Sequence, residues 1–488
     1  MQFNSINFIV FFSVVFLVYY SILDEKTKLQ NWFLLLSSYF FYGFADIKML
    51  SVIICATLIF FYLGKCMENK SNSSLCAKIG VFLGIGLLVY FKYMNFFIES
   101  LASLLNTIGL KTNLGTFDII MPLGISFFTF KLISYVVEIN RGKIEPAQDL
   151  VAFATYVAFF PTILSGPIDR PNSFIPQLLK KRVFDYSLAV VGSKQILWGL
   201  FQKVVIADNL AIYTNEVWAN ISDHSGSTLL LIAVLYTFQL YTDFSGYSHM
   251  AIGVGKLLGF RVTANFNYPF FSRNIAEYWR KWHISLTSWL TDYVFMPLNV
   301  KFRNLGKVGI ILAIIINMVV VGLWHGANIT FVVFGFYHGL LFIPIIISGR
   351  IFRKTKTLTI NKYDIPKLSD FVKIVGTFMQ VTIGLIIFRA NNIGQAWVYF
   401  SKIFSKSLFS IPELQGSRMQ PGESAMVYIG LIIYMLLIEW GGRDRENPIE
   451  RWGHKYSRIY RMSFYSLFLF LIGMYSQTSE TPFIYFQF

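Results

Sequence analysis

Residues 308–349 read VGIILAIIINMVVVGLWHGANITFVVFGFYHGLLFIPIIISG: two apolar runs, 308–324 and 329–349, meeting at the short break His325-Gly-Ala-Asn328. As one helix this stretch would reach ~60 Å at ~1.5 Å per residue, twice the ~30 Å hydrocarbon core of a bilayer. The chain therefore has to turn. Both flanks are basic, with Lys301, Arg303 and Lys307 on one side and Arg350, Arg353, Lys354 and Lys356 on the other. Both ends are accordingly expected in the cytoplasm, and the turn falls at His325–Asn328, where Gly326 and Asn328 tolerate it. The first arm spans only ~25 Å, so His325 is expected just inside the far interface or at membrane depth. Non-helical backbone persists there only when buried in protein or lining a wet cavity.

The same apolar pattern recurs outward along the chain. Of 488 residues, 55% are hydrophobic, 18% aromatic and 14% charged, against ~25% charged in soluble domains. Further apolar runs fall near 6–23, 29–44, 47–63, 79–98, 119–139, 150–165, 188–206, 228–241, 371–388, 426–440 and 462–476. The expected fold is an all-α integral membrane protein, one polytopic domain over 1–488, with roughly ten to twelve spans and short runs that are tilted, broken, re-entrant or interfacial. A secreted soluble enzyme, a disordered chain and a nucleic-acid binder are excluded as leading readings. The net charge of +16 is the Lys/Arg excess of cytoplasmic loops. The first run has no Lys or Arg before it and no small-residue cleavage site after it, and is expected to remain as a helix. The basic segments 65–78, 170–182, 299–307 and 350–373 are placed in the cytoplasm, and 207–227, with Asp208, Glu216 and Asp223, outside together with the N-terminus. Cys55, Cys66 and Cys76 form neither a disulfide framework nor a zinc site, and no metal-ligand spacing occurs among the histidines. No internal repeat supports an inverted-repeat transporter.

A polar group in hydrocarbon is a functional candidate by default, which singles out a few residues. His325 beside its chain break is a candidate acid/base group; the alternative is a turn histidine bonded to a carbonyl. His283 lies in Asn274-Ile-Ala-Glu-Tyr-Trp-Arg-Lys-Trp-His-Ile-Ser-Leu-Thr-Ser-Trp-Leu290. Asn274 and Glu277 resemble a capping box, so one amphipathic helix is expected from there to Pro297. Trp279 and His283 would share its aromatic stripe, with Trp282 on the neighbouring one. The alternative is an interfacial helix whose histidine makes a structural hydrogen bond. Gln239, Tyr241, Asp243 and Ser245 follow the 228–241 run and need protein or ligand partners there. They mark either a polar site or a helix end entering a loop. His338, inside an apolar run, is a tunnel residue or a helix–helix hydrogen bond. Arg389 ends another run, where it could meet an anionic donor or snorkel to the interface.

Trp279-Arg-Lys-Trp-His-Ile-Ser-Leu-Thr-Ser-Trp289 and Gly322-Leu-Trp-His-Gly-Ala327 resemble the two histidine motifs of the membrane-bound O-acyltransferase family. Met121-Pro-Leu-Gly-Ile-Ser-Phe127, Phe159-Phe-Pro-Thr-Ile-Leu-Ser-Gly-Pro167, Tyr241-Thr-Asp-Phe-Ser-Gly-Tyr247 and Phe483-Ile-Tyr-Phe-Gln-Phe488 extend the likeness over essentially the whole chain. It is nearest to the bacterial branch that O-acetylates polysaccharides such as alginate and peptidoglycan; His249 departs from that branch's usual Asp. The resemblance implies helices around a central tunnel joining the membrane faces, in a bacterial cytoplasmic (inner) membrane. His325 would stand at the family's essential histidine and His283 at its second active-site position, with Trp324 and Asn328 beside the first as tunnel candidates. It further implies a cytoplasmic thioester donor, acetyl-CoA, and no tightly bound cofactor. The implied partners are an extracytoplasmic protein of SGNH-hydrolase type, the polysaccharide assembly machinery and membrane lipid, with no nucleic acid. A D-alanyl transfer protein for teichoic acid, and a transporter or scaffold without covalent chemistry, are the alternatives.

Overall fold

The computed structural model describes residues 1–110, 115–349, 365–416, 424–451, 457–477 and 483–484. Arg350, Arg353, Lys354, Lys356 and Lys362 of the basic 350–373 loop, His454 and residues 485–488 of the terminal motif lie outside them. Among the described residues the regular elements are all helices, without a strand. Among the described residues seven helices are long and apolar enough to cross a membrane, against roughly ten to twelve spans expected: Ile47–Cys66, Lys70–Thr107, Tyr186–Ala219, Gly226–Leu257, Arg303–His325, Ile329–Ile347 and Leu368–Arg389. Two apolar helices, Ile6–Ser21 and Ala425–Gly441, are shorter. Large apolar side chains such as Ile9, Val14, Phe82, Ile85, Ile316 and Leu437 stand exposed on these helices, as lipid-facing surface requires.

The chain forms two units. The first comprises Met1–Ile196 and Met250–Thr263. Glycines let its helices meet closely: a Cβ on Gly84 would lie 2.5 Å from Ile133, and one on Gly64 2.3 Å from the Tyr135 hydroxyl. Asp46 and Asp149 cap helix N-termini, accepting from backbone N–H groups of the first turn, which satisfies donors the helix leaves open.

The second unit comprises Leu197–His249 and Ala264–Phe488 and holds nearly all the candidate residues. Its centre is the hairpin inferred above. The helices Gly306–His325 and Ile329–Leu341 meet at Gly326, whose backbone is extended, and Asn328 caps the second by accepting from Thr330 N–H. Three glycines set the approach of the two arms. A Cβ on Gly322 would fall 2.0 Å from the Phe331 carbonyl oxygen, one on Gly335 2.2 Å from that of Met318, and one on Gly339 3.0 Å from Ile315 Cα. Small residues at such crossings are what membrane helix packing favours.

Two sequence expectations are corrected. The 228–241 run does not end at Tyr241: Gly226–Leu257 is one 32-residue helix. The polar side chains that suggested a loop are bonded to other helices, so the backbone stays helical. The segment 274–297 is not one helix. Asn274 does cap it, accepting from Glu277 N–H at 2.9 Å, but Glu277 bonds to Arg273, Lys281 and not back to Asn274. The helix stops at Trp279, and His283 turns the chain with φ 45° before Ile284–Leu290. Pro297 does not stop it either: Ile284–Leu290, the π-helical turn Thr291–Phe295 and Met296–Lys301 follow one another without a break in helical backbone.

Candidate active site

His325 closes the first hairpin arm and is 4% exposed. Aromatic rings surround it: Trp324 and Phe388 each lie edge-on with centroids 5.0 Å away, and Phe334 lies at 6.2 Å. It opens onto a tight cavity of about 10 Å³, walled by Trp279, Trp282, Phe334, His338, Leu385 and Phe388 among others. That is room for roughly one water. The hairpin supplies His325, Phe334 and His338, the Leu368–Arg389 helix supplies Leu385 and Phe388, and the broken aromatic segment supplies both tryptophans.

His338 is 1% exposed. The indole N–H of Trp279 donates to its Nδ1 at 3.3 Å, with the rings nearly perpendicular. Trp279 thus serves His338, not His283 with which it would share a stripe on a continuous helix; the turn after Trp279 separates them.

His283 is fully buried and sits in the left-handed region, uncommon for a non-glycine residue and often a mark of function. Asn265 accounts for its placement. The Asn265 carbonyl oxygen accepts from Ser285 N–H and Oγ at 3.3 and 2.9 Å, and Nδ1 of His283 lies 3.1 Å from it. Because a backbone N–H can only donate, this amide oxygen is fixed as the acceptor, and His283 Nδ1 carries the proton. The ring is therefore the Nδ1–H tautomer, with its Nε2 lone pair facing inward near Trp324 (centroids 5.2 Å) and Phe244 (4.6 Å). Burial pushes its pKa down to about 3, so it is neutral at physiological pH. Trp324 stands between the two motif histidines, touching each ring.

The remaining candidates are joined mainly to one another. Asp243 lies 2.7 Å from Lys203 Nζ, which is also 2.7 Å from Asp208, all three buried. The other Asp243 oxygen accepts from Ile484 N–H at 2.8 Å. Gln239 accepts from Thr214 at 2.6 Å, and Tyr241 donates to Glu439 at 2.7 Å. Ser245 donates to Gln202 at 2.9 Å, and Gln202 donates to Glu439 at 3.1 Å. Asn328, beyond its capping role, donates to the Asn391 carbonyl at 2.9 Å. Arg389 is half-buried over the Tyr236 and Trp218 rings and donates to Asn215. Sequence reading missed Asn265, Lys203 and Glu439. The last two sit in apolar runs and carried the same signal as the histidines; Asn265, in a polar loop, carried none. Among the described residues no group of three or more His, Cys, Asp or Glu is placed to hold a metal.

Residues 141–385 match the membrane-bound O-acyltransferase (MBOAT) family. A probable alginate O-acetylase, AlgI, of Pseudomonas aeruginosa is 34% identical over 450 residues, 89% of this chain and 82% of that protein. A peptidoglycan O-acetyltransferase of Helicobacter pylori is 29% identical over 81% of this chain and 78% of its own length. A teichoic acid D-alanyltransferase of Streptococcus thermophilus is 33% identical over 50% of this chain and 60% of its own. The multi-pass helical fold and these matches define an integral-membrane acyl-transfer enzyme. The chain belongs to the MBOAT family, and its activity is acyltransfer.

Proposed function

We propose that the chain transfers an acetyl group from a cytoplasmic thioester, acetyl-CoA, toward a hydroxyl of an extracytoplasmic polysaccharide, by way of an SGNH-hydrolase-like partner outside the membrane. The observation that carries the reading is His325: a buried imidazole at the break of a membrane hairpin, facing a tight cavity walled by aromatic rings. Relatives named for polysaccharide O-acetylation align over most of the chain, while the D-alanyltransferase aligns over half, which favours acetyl over D-alanyl.

In this reading His325 is the general base. It takes the acceptor hydroxyl proton as that oxygen attacks the thioester carbonyl carbon. The C=O electron pair moves onto oxygen; its return expels the thiolate, which recovers the proton from His325. A neutral imidazole is competent as a base near pH 7. His283 acts by position, because its proton is committed to Asn265 and Nε2 is an acceptor.

The test compares O-acetylation in cells at matched protein abundance. His325→Ala and His325→Asn should each lose ~10²-fold or more. His283→Asn, which keeps an amide for Asn265, should retain part of the activity. Near-normal acetylation in His325→Ala would falsify the base assignment; activity in His325→Asn but not in His283→Asn exchanges the two roles.

A further inference from the structure

We propose that His338 is a further catalytic residue, whose Nε2–H hydrogen-bonds the acyl oxygen as negative charge develops on it. The inference rests on the acyl-transfer reading above and assigns it the donor that reading lacks.

Trp279 sets the tautomer of His338. An indole N–H can only donate, so the His338 Nδ1 that it meets at 3.3 Å is an acceptor. A neutral imidazole carries one proton, and here it is on Nε2. That nitrogen is buried and has no hydrogen-bond partner among the described residues. A buried donor without an acceptor is costly to keep, and the surroundings show where an acceptor would come. A Cβ on Gly384 would lie 2.6 Å from Nε2 and 3.3 Å from Cδ2, so the facing helix is bare backbone beside Nε2. Val381 and Leu385, on either side of Gly384, wall the same cavity as His325. The donor and the base therefore share one apolar cavity, with Phe334 against both rings.

His283 cannot take this role in its neutral form, because Asn265 holds its only proton. The two tautomers divide the work: His283 presents a lone pair and His338 an N–H. In the transfer step the nucleophile's proton goes to His325, the new C–O bond forms, and the carbonyl pair moves onto oxygen. His338 Nε2–H donates to that oxygen without losing its proton. When the C–S bond breaks, the pair returns to the carbonyl and the contact relaxes. Such a donor is stronger for the oxyanion than for the ground-state carbonyl, so it acts on kcat.

The experiment uses purified full-length protein with acetyl-CoA and a soluble oligosaccharide hydroxyl acceptor as probes, following CoA release for wild type, His338→Met, His338→Gln and His325→Ala, with folding matched by thermal midpoint. Methionine fills the space without a donor; glutamine places an amide N–H near the Nε2 position. The expected result is a ~10²–10³-fold loss of kcat in His338→Met at similar KM, with His338→Gln recovering most of it. Turnover of His338→Met within tenfold of wild type, or equal loss in both variants, overturns the proposal. If His338→Met does not fold, Gly384→Ala decides: covering the N–H should lower kcat at least tenfold, and a wild-type rate overturns the proposal. A wild-type chain that releases no CoA overturns the thioester reading and this inference with it. Release that survives His325→Ala overturns only the base assignment.

Discussion

At the residue scale, Asn265 and Trp279 matter as much as the histidines they touch, because each settles where a proton resides. His283 also ties stability to pH. Its folded pKa of about 3 lies below the ordinary 6.5, so as pH falls below 6.5 the unfolded chain binds a proton that the folded chain refuses. Stability is therefore fully present above about 6.5 and declines as pH falls toward 3. Thermal midpoints of the purified protein should drop between pH 7 and pH 5, and His283→Gln should drop less. An equal drop in both would show that other groups set the acid limit. Above pH 6.5 any pH dependence of turnover belongs to groups other than His283.

At the element scale, the hairpin is held by backbone-to-backbone approach at glycine. Gly335 has no room for a methyl beside the Met318 carbonyl, whereas Gly376, on the Leu368–Arg389 helix, has open space around it. Gly335→Ala should destabilise the protein by ~1–3 kcal/mol through overpacking and lower activity by moving His325 against its aromatic walls. Gly376→Ala should leave turnover unchanged and be neutral or stabilising by up to ~1 kcal/mol. Thermal midpoint and acetylation, measured on both variants, check the contrast; equal behaviour would mean that the arms are free to separate. The turn at His283 is the other decisive element. Without it, Trp279 could not reach His338 while His283 reaches Asn265.

At the scale of the whole molecule, the positive-inside pattern predicts the orientation. Lys367, at the start of the Leu368–Arg389 helix, is assigned to the cytoplasm with the 350–373 loop. In a background lacking Cys55, Cys66 and Cys76, Lys367→Cys should resist an impermeant thiol reagent in intact cells and react after permeabilisation. Labelling without permeabilisation reverses the orientation, and would put the proposed thioester donor and polysaccharide on the wrong faces.

The sequence by itself determined the membrane class, the forced hairpin at His325–Asn328 and the cap at Asn274, because span length, turn chemistry and capping are local properties of a few neighbouring residues. It also singled out His338 inside an apolar run, His325 at the break between two runs and His283 on an aromatic stripe. It misplaced the helix through His283, since periodicity extrapolates a regular element and carries no sign of one residue held at positive φ by an asparagine 18 positions earlier. Nor could it pair Asp243 with Lys203, Tyr241 with Glu439, or Trp279 with His338. Those partners lie 40 to 198 positions apart, and only packing brings them within hydrogen-bond reach. Which nitrogen of each histidine carries the proton follows from those neighbours, so the division between acceptor and donor was decided by the tertiary structure.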